Sequence, residues 1–505
     1  MARSRSSRKE YLGIFDLCGD GKATGQLRVD GPSTFLELHA DQPIGMIEAQ
    51  SFLTGRSFGH EHLTLVDCVQ TGMYHSGAPG KPTQYSARVL PGYVLVGPQH
   101  LDPCKSCIRA IHFSATDLKT VFRDFHAFGM IHDDKGTLER ILKEQKPEAL
   151  ANVGEAPLIA YFSGRHTIIE VATVVGAVSA HHSLRYRLGN VAGVSIRDRI
   201  AIAIAPTTPM TFETAIAAMS DVALFLSVAA GRGQGITHIY LELDSPEAEQ
   251  GARLQVHMSY PWRTSGASRR FRPHSIDMPL RPVEDELEFR SVITDWLARH
   301  EGWRTARNRY LSCLRQANRY GADRLIAAAN MFDLLPKTSL PAATNLDARL
   351  AALRDDCDAR FRELPDSPER GSVLSVLGRL GHPSLPKIVL HRVSMLKPSM
   401  EHLVPDLDWV AHTAIKCRNV YVHGRSKDFD VDPVEPFIPF LTDALEFIFG
   451  ASDLLESGWN CSAWLKRGGF AGGHNFSRFL FSYKQELAAL KGALAKPGER
   501  NATTQ

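Results

Sequence analysis

The sequence predicts an α+β, multidomain chain. A β-rich, sandwich-like N-terminal domain with helical insertions is expected over residues 1–283, and an all-helical domain over 284–505. Three observations lead there. The 505 residues exceed what one ordinary core organises. Short β-rich segments dominate the first half, and a 3.6-residue apolar period dominates the second.

The β-rich segments are GQLRVD (25–30), TFLELHA (34–40), LTLVDCVQ (63–70), YVLVG (93–97) and IRAIHFSA (108–115). Clusters of Gly, Pro, Asp and Ser separate them, which suits a sandwich or a barrel. TFETAIAAMSDVALFLSVAAG (211–231) reads as a helix between such segments, and HIYLELD (238–244) and RLQVHMS (253–259) follow as strands. The stretch WRTSGASRRFRPH (262–274) is basic, rich in small residues and carries a proline, so it reads as a linker. Beyond it, Leu346, Leu350, Leu353, Cys357, Phe361 and Leu364 step by threes and fours along one helix face. RYLSCLRQANRYGADRLIAAANMFDLL and FIPFLTDALEFIFGASDLL read as helices too.

Hydrophobic content of 44% and charged content of 22% put the chain in the globular class. The formal charge of +3 neither demands nor excludes a nucleic-acid partner, because a balanced total can hide a basic cleft. The basic start MARSRSSRKEY precedes no apolar segment, so no secretory signal is expected. The apolar run from Ile168 is too short for a bilayer and contains Glu170. A cytoplasmic protein without membrane partner is expected, with its eight cysteines free.

The chemistry-bearing stretch is CRNVYVHG, residues 417–424. Nothing from Asp406 to His423 breaks a helix, and Gly424 stands where a C-terminal cap belongs. Leu407, Val410, Ala411, Ala414, Cys417 and Tyr421 form the apolar stripe. Asn419 and His423 share another face, and Arg418 sits at the stripe's edge, so it must bend round the helix or reach across to a second subunit to meet His423. These residue types suit RNA cleavage. Histidine moves protons best at neutral pH, a guanidinium steadies a crowded phosphate, and an amide donates to a phosphate oxygen or orients the imidazole. A helix C-terminus also favours a cationic imidazole. The bland alternative is a surface histidine that caps carbonyls beside a snorkelling arginine. The same spacing recurs at Arg269 and His274, where Pro273 argues against a helix.

CRNVYVHG resembles the signature of HEPN domains, helical bundles rich in metal-independent ribonucleases. Arg418, Asn419, His423 and Gly424 match that pattern, and RLIAAANMFDLL (324–335) resembles the family helix with a buried acidic residue, here Asp333 in place of the commoner glutamate. GIFDLCGDGKATGQLRVDG, HLTLVDCV, FETAIAAMSDVALFLSVAAGRGQGITHIYLELD and LEFRSVITDWLARHEGW resemble, in order, the N-terminal domain and junction of ApeA-like anti-phage, abortive-infection proteins with a C-terminal HEPN ribonuclease domain. That resemblance implies a sensing or regulatory N-terminal domain (1–283) and a HEPN ribonuclease domain (284–505). It implies Arg418, Asn419 and His423 as catalytic residues, RNA (transfer RNA foremost) as substrate, 2′,3′-cyclic phosphate products, pairing through HEPN domains into a homodimer or higher oligomer, and a phage protein as trigger. No cofactor or metal is implied. The alternatives are a catalytically inactive dimerisation or nucleotide-binding module, and a toxin restrained by a separate antitoxin.

Other motifs rank lower. Cys104-Lys-Ser-Cys107, with His100 and His112 nearby, is one thiol pair where structural zinc wants two, so two buried thiols at a strand start are the preferred reading. HEH (60–62) and HHS (181–183) read as loops, and GDGKATG and GRGQG as turns.

Overall fold

A computed structural model describes residues 8–17, 21–47, 51–77, 83–132, 134–190, 193–244, 253–262, 272–343, 346–424, 429–468 and 471–495. The chain forms two compact units. One comprises Met1–Leu226, Gln234–Thr264 and Leu280–Leu297, the other Ser227–Gly233, Ser265–Pro279 and Ala298–Gln505.

The first unit is built on six antiparallel strands, β1 (Lys9–Asp16), β2 (Lys22–Val29), β3 (Phe35–Ala40), β4 (Ser51–Ser57), β5 (His62–Ser76) and β6 (Gln84–Gly97). Their order is β6-β3-β2-β1-β4-β5, and β5 pairs back onto β6, so the β-rich module closes as a barrel and not as two facing sheets. The strands alternate across the barrel wall: Tyr11 and Phe15 point inward while Leu12 and Ile14 lie exposed. Phe15 fills the barrel because Gly55 stands opposite; a Cβ at Gly55 would lie 2.4 Å from the ring.

Strand β6 is long enough to pair with β3 through Tyr85–Val89 and with a further strand through Tyr93–Val96. From there the sheet continues outward. In chain order its strands and helices are β7 (Ile108–Ala115), α1 (Leu118–Val121), β8 (Phe128–His132), α2 (Lys135–Gln145), β9 (Leu158–Phe162), β10 (Thr167–Thr173), β11 (Gly176–Asn190), β12 (Gly193–Ala205), α3 (Phe212–Ala230), β13 (Ile236–Leu243) and β14 (Arg253–Met258). Outward from β6 they run β14-β13-β7-β12-β11-β10, while β8 and β9 pair separately. The apolar run from Ile168 is therefore a hairpin. Among the described residues α3 is the one helix long and apolar enough to cross a membrane, and 67% of that window is buried inside the fold. Helix α4 (Glu286–Ala298) sets Phe289 edge-on against Phe122 and Phe225.

The second unit is helical: α5 (His300–Gln316), α6 (Ala322–Asp333), α7 (Ala348–Glu363), α8 (Pro368–Arg379), α9 (Leu385–Met400), α10 (Leu407–His423), α11 (Ile438–Glu456), α12 (Cys461–Arg467) and α13 (Asn475–Leu494). Helix α11 is its axis, packed by α5, α6, α9, α10 and α13 and buried over most of its length. A helix so enclosed should be apolar all round. This one carries Glu446, Asp453 and Glu456, each answered by an arginine. Arg324 of α6 grips Glu446 bidentately at 2.8 and 2.9 Å, and Arg307 of α5 grips Asp453 at 2.8 and 2.9 Å. Arg392 of α9 reaches Glu456 at 2.7 Å and Ser452 at 2.9 Å. Asp277 belongs to this unit too: its carboxylate accepts from the backbone of Ala471 and Gly473 at 2.6 and 2.8 Å. A fragment beginning at 285 would lack that cradle. By contrast, the apolar stripe of α7 stays open: neither α7 nor α8 has a buried residue, and Leu353 is 53% exposed.

Two outcomes follow from the axis helix. Arg307→Ala leaves Asp453 short of its bidentate partner and should cost about 3–5 kcal/mol, read from the urea midpoint. Asp443 accepts from the Tyr320 hydroxyl at 2.9 and 3.0 Å, and burial, then Glu446, push its carboxyl from 3.8 up to about 6. Folding thus takes up a proton there. Its stabilising contribution is whole below the unfolded value and is lost as pH rises through about 6. Asp443→Asn keeps an acceptor for Tyr320 and should flatten the fall in Tm between about pH 4 and 6.

Candidate active site

Helix α10 ends as its sequence requires. Gly424 adopts φ +90°, where a side chain would be strained, and its N–H donates to the Val420 carbonyl at 2.9 Å. Leu407, Val410, Ala411, Ala414 and Cys417 are buried against the bundle, and Tyr421 is half-buried. Burial pushes the Cys417 thiol up to about 11, so it is no nucleophile at neutral pH.

Arg418 does not bend back towards His423. Its side chain turns onto α6, where Nη2 donates to Asn330 Oδ1 at 2.7 Å, and Nη1 donates to Asn419 Oδ1 at 3.0 Å. Since a guanidinium only donates, both amide oxygens must face it, which leaves the Asn419 amide nitrogen free to donate outward. Among the described residues the carboxylate paired with it is Asp333, at 4.0 Å. Asp333 is not the buried acid expected; its side chain is 45% exposed. Desolvation nevertheless raises its carboxyl above the ordinary value, and Arg418 offsets only part of that rise. The guanidinium is thus held chiefly by neutral amides and keeps most of its charge for a ligand.

His423 lies exposed at the end of the same helix, with exposed Lys416 and His412 about two and three turns back. Among the described residues it has no hydrogen-bond partner. Arg418 and Asn419 are therefore brought together, with Asn330 and Asp333, while His423 stands at the rim. Asn330 was not singled out from the sequence. The available signal was a lone amide in the apolar run LIAAANMF, three residues before Asp333 and hence on its face.

The competing spacing falls away. Arg269 and most of 262–274 lie outside the described residues, and His274 accepts from the backbone of Ile276 at 3.2 Å as a cap. The thiols at 104 and 107 are not buried as expected: Cys104 is exposed and Cys107 half-buried, in the loop before β7. His100 stacks edge-on against His62 and His112 Nε2 lies 3.1 Å from Glu242, so each ring has a neighbour other than the thiols. Among the described residues no three His, Cys, Asp or Glu side chains are grouped to hold a metal. HHS is not a loop but part of β11, where His182 is buried and bonds Asp198 at 3.0 Å.

With the geometry in place, comparison with known families is informative. The family model described as ApeA N-terminal domain 1 matches residues 10–296, more than half of the chain. The chain belongs to the ApeA family. The match ends inside Leu280–Leu297, the last segment of the barrel-bearing unit. No similarity emerges to any curated protein or solved structure. ApeA membership points to anti-phage defence by abortive infection.

The site predicts two contrasting stabilities. Asn330→Ala removes a charge-assisted bond and should cost about 1.5–3 kcal/mol. His423→Ala, at an exposed position, should stay within about 0.5 kcal/mol of wild type. Chemical denaturation measures both, and a large loss at His423 would mark it as structural.

Proposed function

We propose that this ApeA-family chain is an anti-phage ribonuclease whose helical unit is a HEPN domain. It cleaves RNA, transfer RNA foremost, without a metal once infection releases it from restraint. One observation carries the reading: Arg418 is anchored by neutral amides, beside the outward amide of Asn419, on the helix that ends in an exposed, uncommitted His423. A structural arginine in this unit is treated otherwise, matched to a carboxylate.

In the reaction Arg418 steadies the scissile phosphate and Asn419 orients it. The 2′-hydroxyl oxygen attacks phosphorus, its proton passes to an imidazole, the P–O5′ bond breaks, and O5′ takes a proton. The products carry a 2′,3′-cyclic phosphate and a 5′-hydroxyl. One chain supplies one such histidine, whereas the step takes one proton and gives another. Pairing of two HEPN domains supplies both imidazoles, which favours a homodimer or higher oligomer. The barrel-bearing unit then serves as sensor and restraint, with a phage protein as trigger.

RNA from infected cells expressing the full chain tests this. New cyclic-phosphate and 5′-hydroxyl ends are expected with wild type, together with protection from phage. His423→Ala should lower the cleavage by about 10²- to 10⁴-fold at unchanged protein level. Protection that persists without such ends, or in the variant, would sink the ribonuclease reading.

A further inference from the structure

Strands β11 and β12 outrun their sheet. β10 pairs with β11 only as far as His181, and β7 pairs with β12 only at Ile202–Ile204. From there outward the two strands pair only with each other among the described residues, with Arg185 opposite Arg197, Ser183 opposite Arg199 and Arg187 opposite Ser195. Opposed residues share a face, and alternate residues do too. One face of this two-stranded ribbon therefore carries Arg185, Arg187, Arg197 and Arg199. The first three are exposed and the fourth half-buried, and none is ion-paired to a described residue.

The other face differs. His182 and Asp198 lie there, bonded to one another, and the rings of Phe128 and Phe162 from β8 and β9 stand edge-on to His182 at 5.6 and 5.5 Å. The single carboxylate between residues 183 and 199 is thus turned away from the arginines and committed. Towards the root of the arginine face, Glu242 is taken by Arg253 and His112, and Glu170 lies opposite Ser179. The arginines feel each other: burial and then Arg185 depress the Arg199 guanidinium, and burial, Arg199 and Arg185 depress His238. Like charges directly opposite, as at Arg185 and Arg197, destabilise a β pair. A chain of net charge +3 that keeps such a stripe without counter-charges holds it ready for a partner.

We infer that the arginine face of the β11–β12 ribbon is a docking surface for the phosphate backbone of a nucleic acid. Several guanidiniums in a line match a polymer of evenly spaced anions better than a single headgroup, and a two-stranded ribbon is narrow enough to enter a duplex groove. The surface stands apart from the ribonuclease reading and does not depend on it.

The test titrates the full chain against fluorescent strands of about 20 nucleotides by anisotropy, at about 50 and 200 mM salt. The probes are single-stranded 2′-O-methyl RNA, single-stranded DNA and the DNA duplex. None offers a 2′-hydroxyl to attack, so binding is read whether or not the chain cleaves RNA. Wild type should bind at least one probe. Arg185→Ala/Arg187→Ala/Arg197→Ala should weaken that binding more than about tenfold and lower the log–log salt slope by about 2. Its melting temperature should be unchanged or higher, because the opposed charges are gone. Arg354→Ala/Arg362→Ala, which removes one half-buried and one exposed arginine already paired with Asp355 and Asp358, should leave affinity intact. Which probe binds best assigns the ribbon to strand or duplex, RNA or DNA. An unaltered slope in the triple variant, an equal loss in the control, or a wild type that binds none of the three overturns the inference.

Discussion

The helical unit depends on three acids of one buried helix and the arginines that answer them. Taking carboxylates such as Glu446 and Asp453 out of water costs several kcal/mol each unless geometry and further hydrogen bonds restore it. Bidentate Arg324 and Arg307 do so, and Trp303 lies about 5 Å under the guanidiniums of Arg299, Arg307 and Arg392. Such pairs add less to stability than apolar packing would, but they are intolerant of slippage. Moving α6 by one residue along α11 would strand Glu446 opposite the wrong side chain. The ion pairs therefore act as register pins for the helices around the axis.

The candidate site inherits that register. Arg324 pins α6, and Asn330 lies six residues further along the same helix, where its oxygen meets Arg418. Helix α10 packs on both α6 and α11, so the position of Arg418 is fixed by the ties that hold the bundle. The rim is different. His423 is the last helical residue before a glycine and is exposed, so it retains rotameric freedom that Arg418 has lost. Under the ribonuclease reading proposed above, such a pairing of a fixed charge with a mobile imidazole would suit a reaction completed by a second chain.

Much of this was legible in the sequence. β-rich composition between Gly, Pro, Asp and Ser clusters located β2, β3, β5, β6, β7, β13 and β14, and the glycine cap located the C-terminal end of α10. Barrel closure was not legible, because it rests on β6 pairing along both edges, and pairing partners leave no local trace. β1 was missed although Tyr11, Gly13 and Phe15 alternate, since KEYLGIFD opens with charge and holds a glycine. The strongest apolar stripe, on α7, proved a sound guide to helix and a poor one to burial. Asn330 was hidden because one amide in a helix says nothing of what it faces. HHS was hidden because two histidines in a polar setting read as loop until Asp198 is found across the strand pair.

Arginines in this chain fall into three electrostatic classes, and the distinction is more informative than their number. Arg307, Arg324 and Arg392 are matched to carboxylates and hold the bundle. Arg418 is held by amide oxygens, so its direction is fixed while its charge is largely uncompensated. The ribbon arginines have no acidic partner among the described residues, and two of them oppose one another. Folding alone favours the first class, tolerates the second and is opposed by the third. Opposed, unpaired charge of that kind is what the proposed docking of a phosphate backbone would relieve. A net charge of +3 over 505 residues conceals that ordering, because a sum does not record which charges are matched.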